Sequence, residues 1–334
     1  MSRLRWPVAA GPFLVLIAII GLWWSSAQEE RRVVDQTDAA LARHIAAFLR
    51  VLTPAGPGES YDAPRLLSSA NALADASFWR GGLQVSMGSV PLIPDTIGLL
   101  PLPDSLMLPL ERGAAAVVAT HARHRATLVP FLSRDRQTLL GWVAAWDSVE
   151  LQVPRGRHLF LTLLAVLGLS AATVTLVRYT RPRWRLVAIL AELGLIGLLA
   201  LTLWLSVYGT ASTATDTRLL TLRRLVEVAA TAAGVQQSRL PEIGTGTFSR
   251  KLSAPLVFPD DVIRGDDDPD NDTPVARIIA ATPRNQGGLE FRVTPAESDL
   301  ENLDGVLLAW LALAAVGLGL TATGGQGPPA GESG

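Results

Sequence analysis

Four groups of residues have types and spacing that could do chemistry. Glu192 lies about seven residues into an apolar run that opens at Leu186, roughly 10 Å along a helix. An ionisable group at that depth needs a partner or a protein-lined surface, and it offers a coupling or proton-linked role between helices. The plainer reading, which the sequence favours, is a carboxylate hydrogen-bonded to Thr173, Thr175 or Arg178, or one reaching back to the interface. Asp266, Asp268, Asp270 and Asp272 set oxygen ligands at alternate positions, as calcium loops do. Counting Asp266 first, Asn271 stands where that loop needs glycine and Arg277 where it needs glutamate, so we read a solvated acidic turn. His121 and His124 would share a metal ion on a helix. Arg123 and Arg125 oppose a cation there, surface histidines fit better, and on one strand the two would face opposite ways. Gly244-Thr-Gly246 lacks the third glycine and the preceding strand of a dinucleotide loop, and no Walker lysine exists, Lys251 being the one lysine.

Cysteine is absent, which removes disulfides, thiolate metal sites and cysteine nucleophiles together. No nucleophile-elbow pattern accompanies the serines. We find no catalytic constellation and expect no cofactor. The 29 basic and 30 acidic residues leave a net charge of −1, so no global field draws nucleic acid. A mean hydropathy of +0.31 puts a membrane reading first.

The elements that hold these residues follow from the apolar runs. Leu159–Val177 and Leu186–Val207 are each about 20 residues, roughly 30 Å as helix, enough to cross a bilayer core. The turn between them, 178–185, carries Arg178, Arg181, Arg183 and Arg185. Arginine collects in short cytoplasmic loops, which sets this turn inside. Arg3 and Arg5 precede a first run at Pro7–Trp24, and Gly305–Leu320 is a fourth. We read the first run as an uncleaved span ending in Trp23-Trp24, with cleavage near Ser25-Ser26-Ala27 as the alternative. Arg155, Arg157 and His158 oppose this topology locally, and the four arginines of the turn outweigh them.

Between the spans the pattern predicts two α+β modules. A helix over Ala27–Pro54 carries Val34, Leu41, Ile45, Phe48 and Leu52 on one stripe. A second helix at Ala63–Ser77, a strand at Leu83–Met87, an irregular Pro91–Pro109 and an undecided Ala114–Thr120 follow. Arg125–Leu132 and Leu139–Asp147 form the clearest hairpin, rich in β-branched and aromatic residues. The second module opens with a helix over Asp216–Ala233 and holds a hairpin of Val275–Ala281 and Gly288–Val293. A shift of 181 positions pairs Leu22-Trp23 with Leu203-Trp204, Ser25 with Ser206, Asp35 with Asp216, Leu41 with Leu222 and Arg43 with Arg224. That points to internal duplication. The division is then 1–26 for the tail and first span, 27–157 for module one and 158–208 for the paired spans. Module two takes 209–304, the fourth span 305–322, and a disordered Gly/Pro-rich tail 323–334.

The helix Ala27–Pro54 leading from the first span, and the hairpin Arg125–Asp147 feeding the second, resemble the input half of bacterial membrane-bound sensor histidine kinases. The resemblance implies PAS- or Cache-like modules outside the inner membrane, both termini in the cytoplasm, and stimulus transmission through transmembrane helices. The partners it implies are the lipid bilayer, a second copy in a homodimer, and a cytoplasmic kinase or response regulator. No phosphoacceptor helix or ATP-binding box follows the fourth span, so the chain looks like a sensor without its transmitter, and kinase activity is not carried over. The rival reading is a membrane subunit of an ABC-type transport complex, or an envelope scaffold. Such permease components usually have one dominant outer domain, whereas both outer loops are long here.

Overall fold

The computed structural model describes residues 6–52, 67–69, 71, 82–87, 90–91, 103–121, 124–132, 139–148, 160, 163–164, 166–168, 170, 182–232, 234–240, 247–252, 276–279, 288–292, 300 and 302–323. In chain order the elements are α1 (Trp6–Leu52), β1 (Gly82–Met87), β2 (Val90–Pro91), α2 (Asp104–Glu111), β3 (Val117–His121), β4 (His124–Leu132) and β5 (Leu139–Ser148). Then come α3 (Pro182–Ala232), β6 (Gln237–Leu240), β7 (Thr247–Leu252), β8 (Ala276–Ile279), β9 (Gly288–Arg292) and α4 (Leu303–Thr323). They fall into two compact units. One takes Met1–Arg32, Gln152–Ala211 and Glu297–Gly334; the other takes Val33–Leu151 and Ser212–Ala296.

The first unit is apolar helix. α1, α3 and α4 each contain a stretch long and apolar enough to cross a membrane. In α1 that stretch ends where Glu29-Glu30-Arg31-Arg32 follow in succession. In α3, Trp184 and Trp204 stand 20 residues apart, about 30 Å of helix and the thickness of a hydrocarbon core. Between them Leu186, Val187, Leu190, Leu198 and Leu201 are exposed, as a lipid-facing side requires. The run expected at 159–177 is described at Phe160, Leu163, Leu164, Val166, Leu167, Gly168 and Ser170, each helical. It is not among the three candidate spans, for which only described residues were searched.

Tryptophan and hydroxyl groups tie these helices near one end. Trp310 Nε1 donates to Ser25 Oγ at 3.0 Å, and Trp204 Nε1 donates to Asp304 Oδ1 at 2.8 Å. Trp204 stacks on Tyr208 with centroids 5.3 Å apart. The Thr210 hydroxyl lies 2.9 Å from Glu30 Oε1 and 3.0 Å from the Ser206 carbonyl. Aromatic rings with polar tips belong at a membrane interface, where one end is apolar and the other wet.

The second unit packs the remainders of α1 and α3 on a sheet. β1 to β5 form an antiparallel sheet of order β2-β1-β5-β4-β3, and β6 to β9 a four-stranded antiparallel sheet of order β6-β7-β9-β8. Alternation sorts the side chains of the larger sheet. Val85, Val129, Phe131, Val143 and Ala145 face the helices. There they share a core with Ala42, Ile45, Phe48 and Leu49 of α1 and Leu222, Leu225, Val226 and Ala229 of α3. Ala119, Ala126, Leu128, Trp142 and Ala144 face the other way, against Leu106, Met107 and Leu110 of α2. Pro130 of β4 falls past the last β3 pair, Val117 with Leu128, where the strand has an open edge.

The same stop closes α2 and α3. Gly113 and Gly234 sit at φ 87° and 66°. Ala114 N–H donates to Pro109 O and Gly113 N–H to Leu110 O; Val235 N–H donates to Ala230 O and Gly234 N–H to Thr231 O. Both are Schellman caps, which need the left-handed residue that glycine supplies without strain.

Three local readings change. Residues 104–111, which begin inside the expected irregular stretch 91–109 and run past its end, are helical because Leu106, Met107 and Leu110 bury against the sheet. Ala114–Thr120 resolves as strand from Val117 onward. A strand, β6, does precede Gly244-Thr-Gly246, which lie outside the described residues, and the next described element is β7, the antiparallel partner of β6. The helix expected at Ala63–Ser77 lies mostly outside the described residues; 67–69 and 71 are helical.

Candidate functional site

The polar side chains that the fold brings together lie at the start of the α1 portion in the second unit. Asp35 and Asp38 are three apart on α1 and so share a face. Arg125 opens the helix-facing row of β4, followed by Thr127, Val129 and Phe131. That row grades from polar to apolar, so α1 meets charge first and core afterwards. Arg125 Nε and Nη2 donate to Asp35 Oδ1 and Oδ2 at 2.6 and 2.5 Å, a fork-on-fork pair. The hydrogen bond to Asp35 raises the Arg125 pKa above its ordinary value, and the charges of Asp35 and Asp38 add to it.

α3 closes the other side. Arg218, buried at 4% exposure, donates from Nε to Thr37 Oγ1 at 3.2 Å. The Thr37 hydroxyl in turn donates to the Val33 carbonyl at 2.8 Å. Arg43 donates from Nε to Ala39 O at 3.2 Å. Burial and the charge of Arg218 lower its pKa. Beside it, burial lowers the His44 pKa to about 3, with Arg43 and Arg218 adding to the effect. His44 is therefore neutral at physiological pH, and its Nδ1 has no hydrogen-bond partner among the described residues. The cluster holds no nucleophile–base pair, and no group of three or more metal-ligating side chains occurs among the described residues. Its chemistry is positional: charges on α1 fix a strand on one flank and a helix on the other.

The residues singled out from sequence are placed differently. Asp266, Asp268, Asp270 and Asp272 lie outside the described residues, as do Arg178 and Arg181. Arg183 and Arg185 open α3. Glu192 is buried in α3 at 1% exposure, and neither carboxylate oxygen has a hydrogen-bond partner among the described residues. Its expected partners Thr173, Thr175 and Arg178 lie outside the described residues. His121 and His124 are neither on one helix nor on one strand: they are register partners across the β3–β4 connection. Sequence reasoning passed over Asp35 with Arg125, which are 90 positions apart. It passed over the contact between Thr37 and Arg218 as well: their separation of 181 equals the duplication shift, which aligned equivalent positions and foretold no contact.

Comparison with protein-family models, with curated proteins and with solved structures returned no match. Fold and site therefore carry the functional reading by themselves.

Proposed function

We propose that the chain is the sensing and membrane-input region of a signal receptor, as its resemblance to sensor histidine kinases implies. In this reading it spans a bacterial inner membrane four times, holds two PAS- or Cache-like modules outside, and works as a homodimer with a cytoplasmic kinase or response regulator. The arginines at 178–185 support an inner turn. The observation that carries the reading is the pairing of α1 with α3. Glu30 meets Thr210 in one unit and Thr37 meets Arg218 in the other, at offsets of 180 and 181. Two helices paired in this way can move together or slide past each other, which is what a receptor needs to pass a bias along its axis.

The absence of native cysteine gives a clean background for the test. Cysteine pairs replacing Glu30 with Thr210, and Thr37 with Arg218, should crosslink in membranes at rates that change with osmolarity, acidity or envelope extracts. Rates indifferent to every condition would falsify the sensing role. Co-purification adds a second discrimination: a kinase or response regulator supports it, whereas an ATPase or envelope polymer supports transport or scaffolding instead.

A further inference from the structure

The sheet face turned towards α2 carries buried polar atoms with nothing to bind. Gln84 on β1 and Trp142 on β5 are both fully buried. Gln84 pairs with Ala144 and Ser86 with Trp142. Gln84 and Trp142 are therefore diagonal neighbours on one face, about 7–8 Å apart. Trp142 and Ala144 belong to the α2-side core, while Val85 and Val143, next to them in sequence, belong to the helix side. The amide nitrogen and oxygen of Gln84 and the indole nitrogen of Trp142 have no hydrogen-bond partner among the described residues. A polar atom buried in that state keeps its whole desolvation penalty, and native cores rarely keep three on one patch.

We infer that this patch is a binding site for a small, uncharged carboxamide. The side chains decide the class. Gln84 offers two N–H donors and one carbonyl acceptor, and Trp142 one donor. A carboxamide answers both: its oxygen accepts from Gln84 Nε2 and Trp142 Nε1 while its N–H donates to Gln84 Oε1. Positions 84, 86, 117, 119, 126, 128, 142 and 144 of this face hold no charged residue, so a carboxylate or ammonium ligand would find no counter-charge there. Leu128, Ala144 and the Trp142 ring pack against Leu106, Met107 and Leu110 of α2, so the surroundings of the polar atoms are apolar. Signalling by this site rests on the sensing role proposed above; binding does not.

The test uses the full chain in lipid nanodiscs, with thermal unfolding followed against propionamide, valeramide and cyclohexanecarboxamide. Sodium valerate and 1-pentanol serve as the charged and hydroxyl controls. The amides should raise Tm saturably, and both controls should bind at least tenfold more weakly. Gln84→Leu and Trp142→Phe should each weaken amide binding by about tenfold or more. Trp142→Phe keeps an aromatic ring in place, so it reports on the site even where Gln84→Leu perturbs folding. Absence of a saturable rise with any amide, or an equal rise in both variants, overturns the site and assigns the polar atoms to buried water. The Glu30/Thr210 crosslink separates the two proposals. Amide binding that leaves crosslinking unchanged sustains the site and removes its signalling role; crosslinking that answers envelope conditions without amide binding removes the site.

Discussion

On one side of the five-stranded sheet, Val85, Val129, Phe131 and Val143 meet two long helices; on the other, Leu128, Trp142 and Ala144 meet one helix of eight residues. The helix side pairs Arg125 with Asp35, and there apolar packing and charge agree about where α1 must lie. The α2 side is also buried, yet it carries Gln84 and Trp142 with polar atoms unmatched among the described residues. Burial alone therefore does not make two faces equivalent. Both faces keep buried polar atoms without a partner among the described residues, Thr127 Oγ1 and His44 Nδ1 on the helix side and Gln84 and Trp142 on the α2 side, but only the helix side adds a charge pair.

The largest test of that contrast is Phe131→Ala, which empties a fully buried site between sheet and helices. It should cost about 3–5 kcal/mol in chemical denaturation. Leu110→Ala on the α2 side should cost less, about 2–3 kcal/mol, because the short helix can settle into the gap; equal losses would erase the distinction. Acid probes the helix side next. The folded His44 pKa of about 3 lies below its unfolded value of about 6.5. Its contribution to stability is whole above pH 6.5, and declines as pH falls towards 3 because the unfolded chain takes the proton first. The slope from this residue is at most about 1.4 kcal/mol per pH unit. His44→Gln should flatten the pH profile by that amount relative to the parent chain, as read by unfolding midpoints between pH 7 and 4. The smallest effect belongs to Arg125→Gln. The pair is bidentate but partly exposed, at 35% and 21%, so a loss of about 1 kcal/mol that shrinks in high salt is expected.

What the sequence made legible was periodicity. Leu41, Ile45 and Phe48 announced the buried stripe of α1, and the β-branched run of β4 announced its hairpin with β5, because both signals repeat within one element. α2 was hidden by proline: Pro103 stands at its N-cap and Pro109 within it, so the local signal argued for irregular chain while burial of Leu110 decided for helix. β6 and β7 were missed because Gln237-Ser-Arg-Leu240 and Thr247–Leu252 are mostly polar and lack an alternating apolar face. The Asp35–Arg125 pair could not be read at all, since no local rule joins residues on a helix and a distant strand. Gln84 was equally silent. A glutamine in a short strand becomes informative only once its neighbours show that nothing answers it.

The tryptophans at 184 and 204 act as a gauge. With one indole at each boundary, α3 suits a hydrocarbon slab of about 30 Å, and a thicker or thinner one must be met by stretching the lipids or leaning the helix. Acyl-chain length is thus expected to change the tilt of α3 without any ligand, and a chemist can set it by choice of lipid.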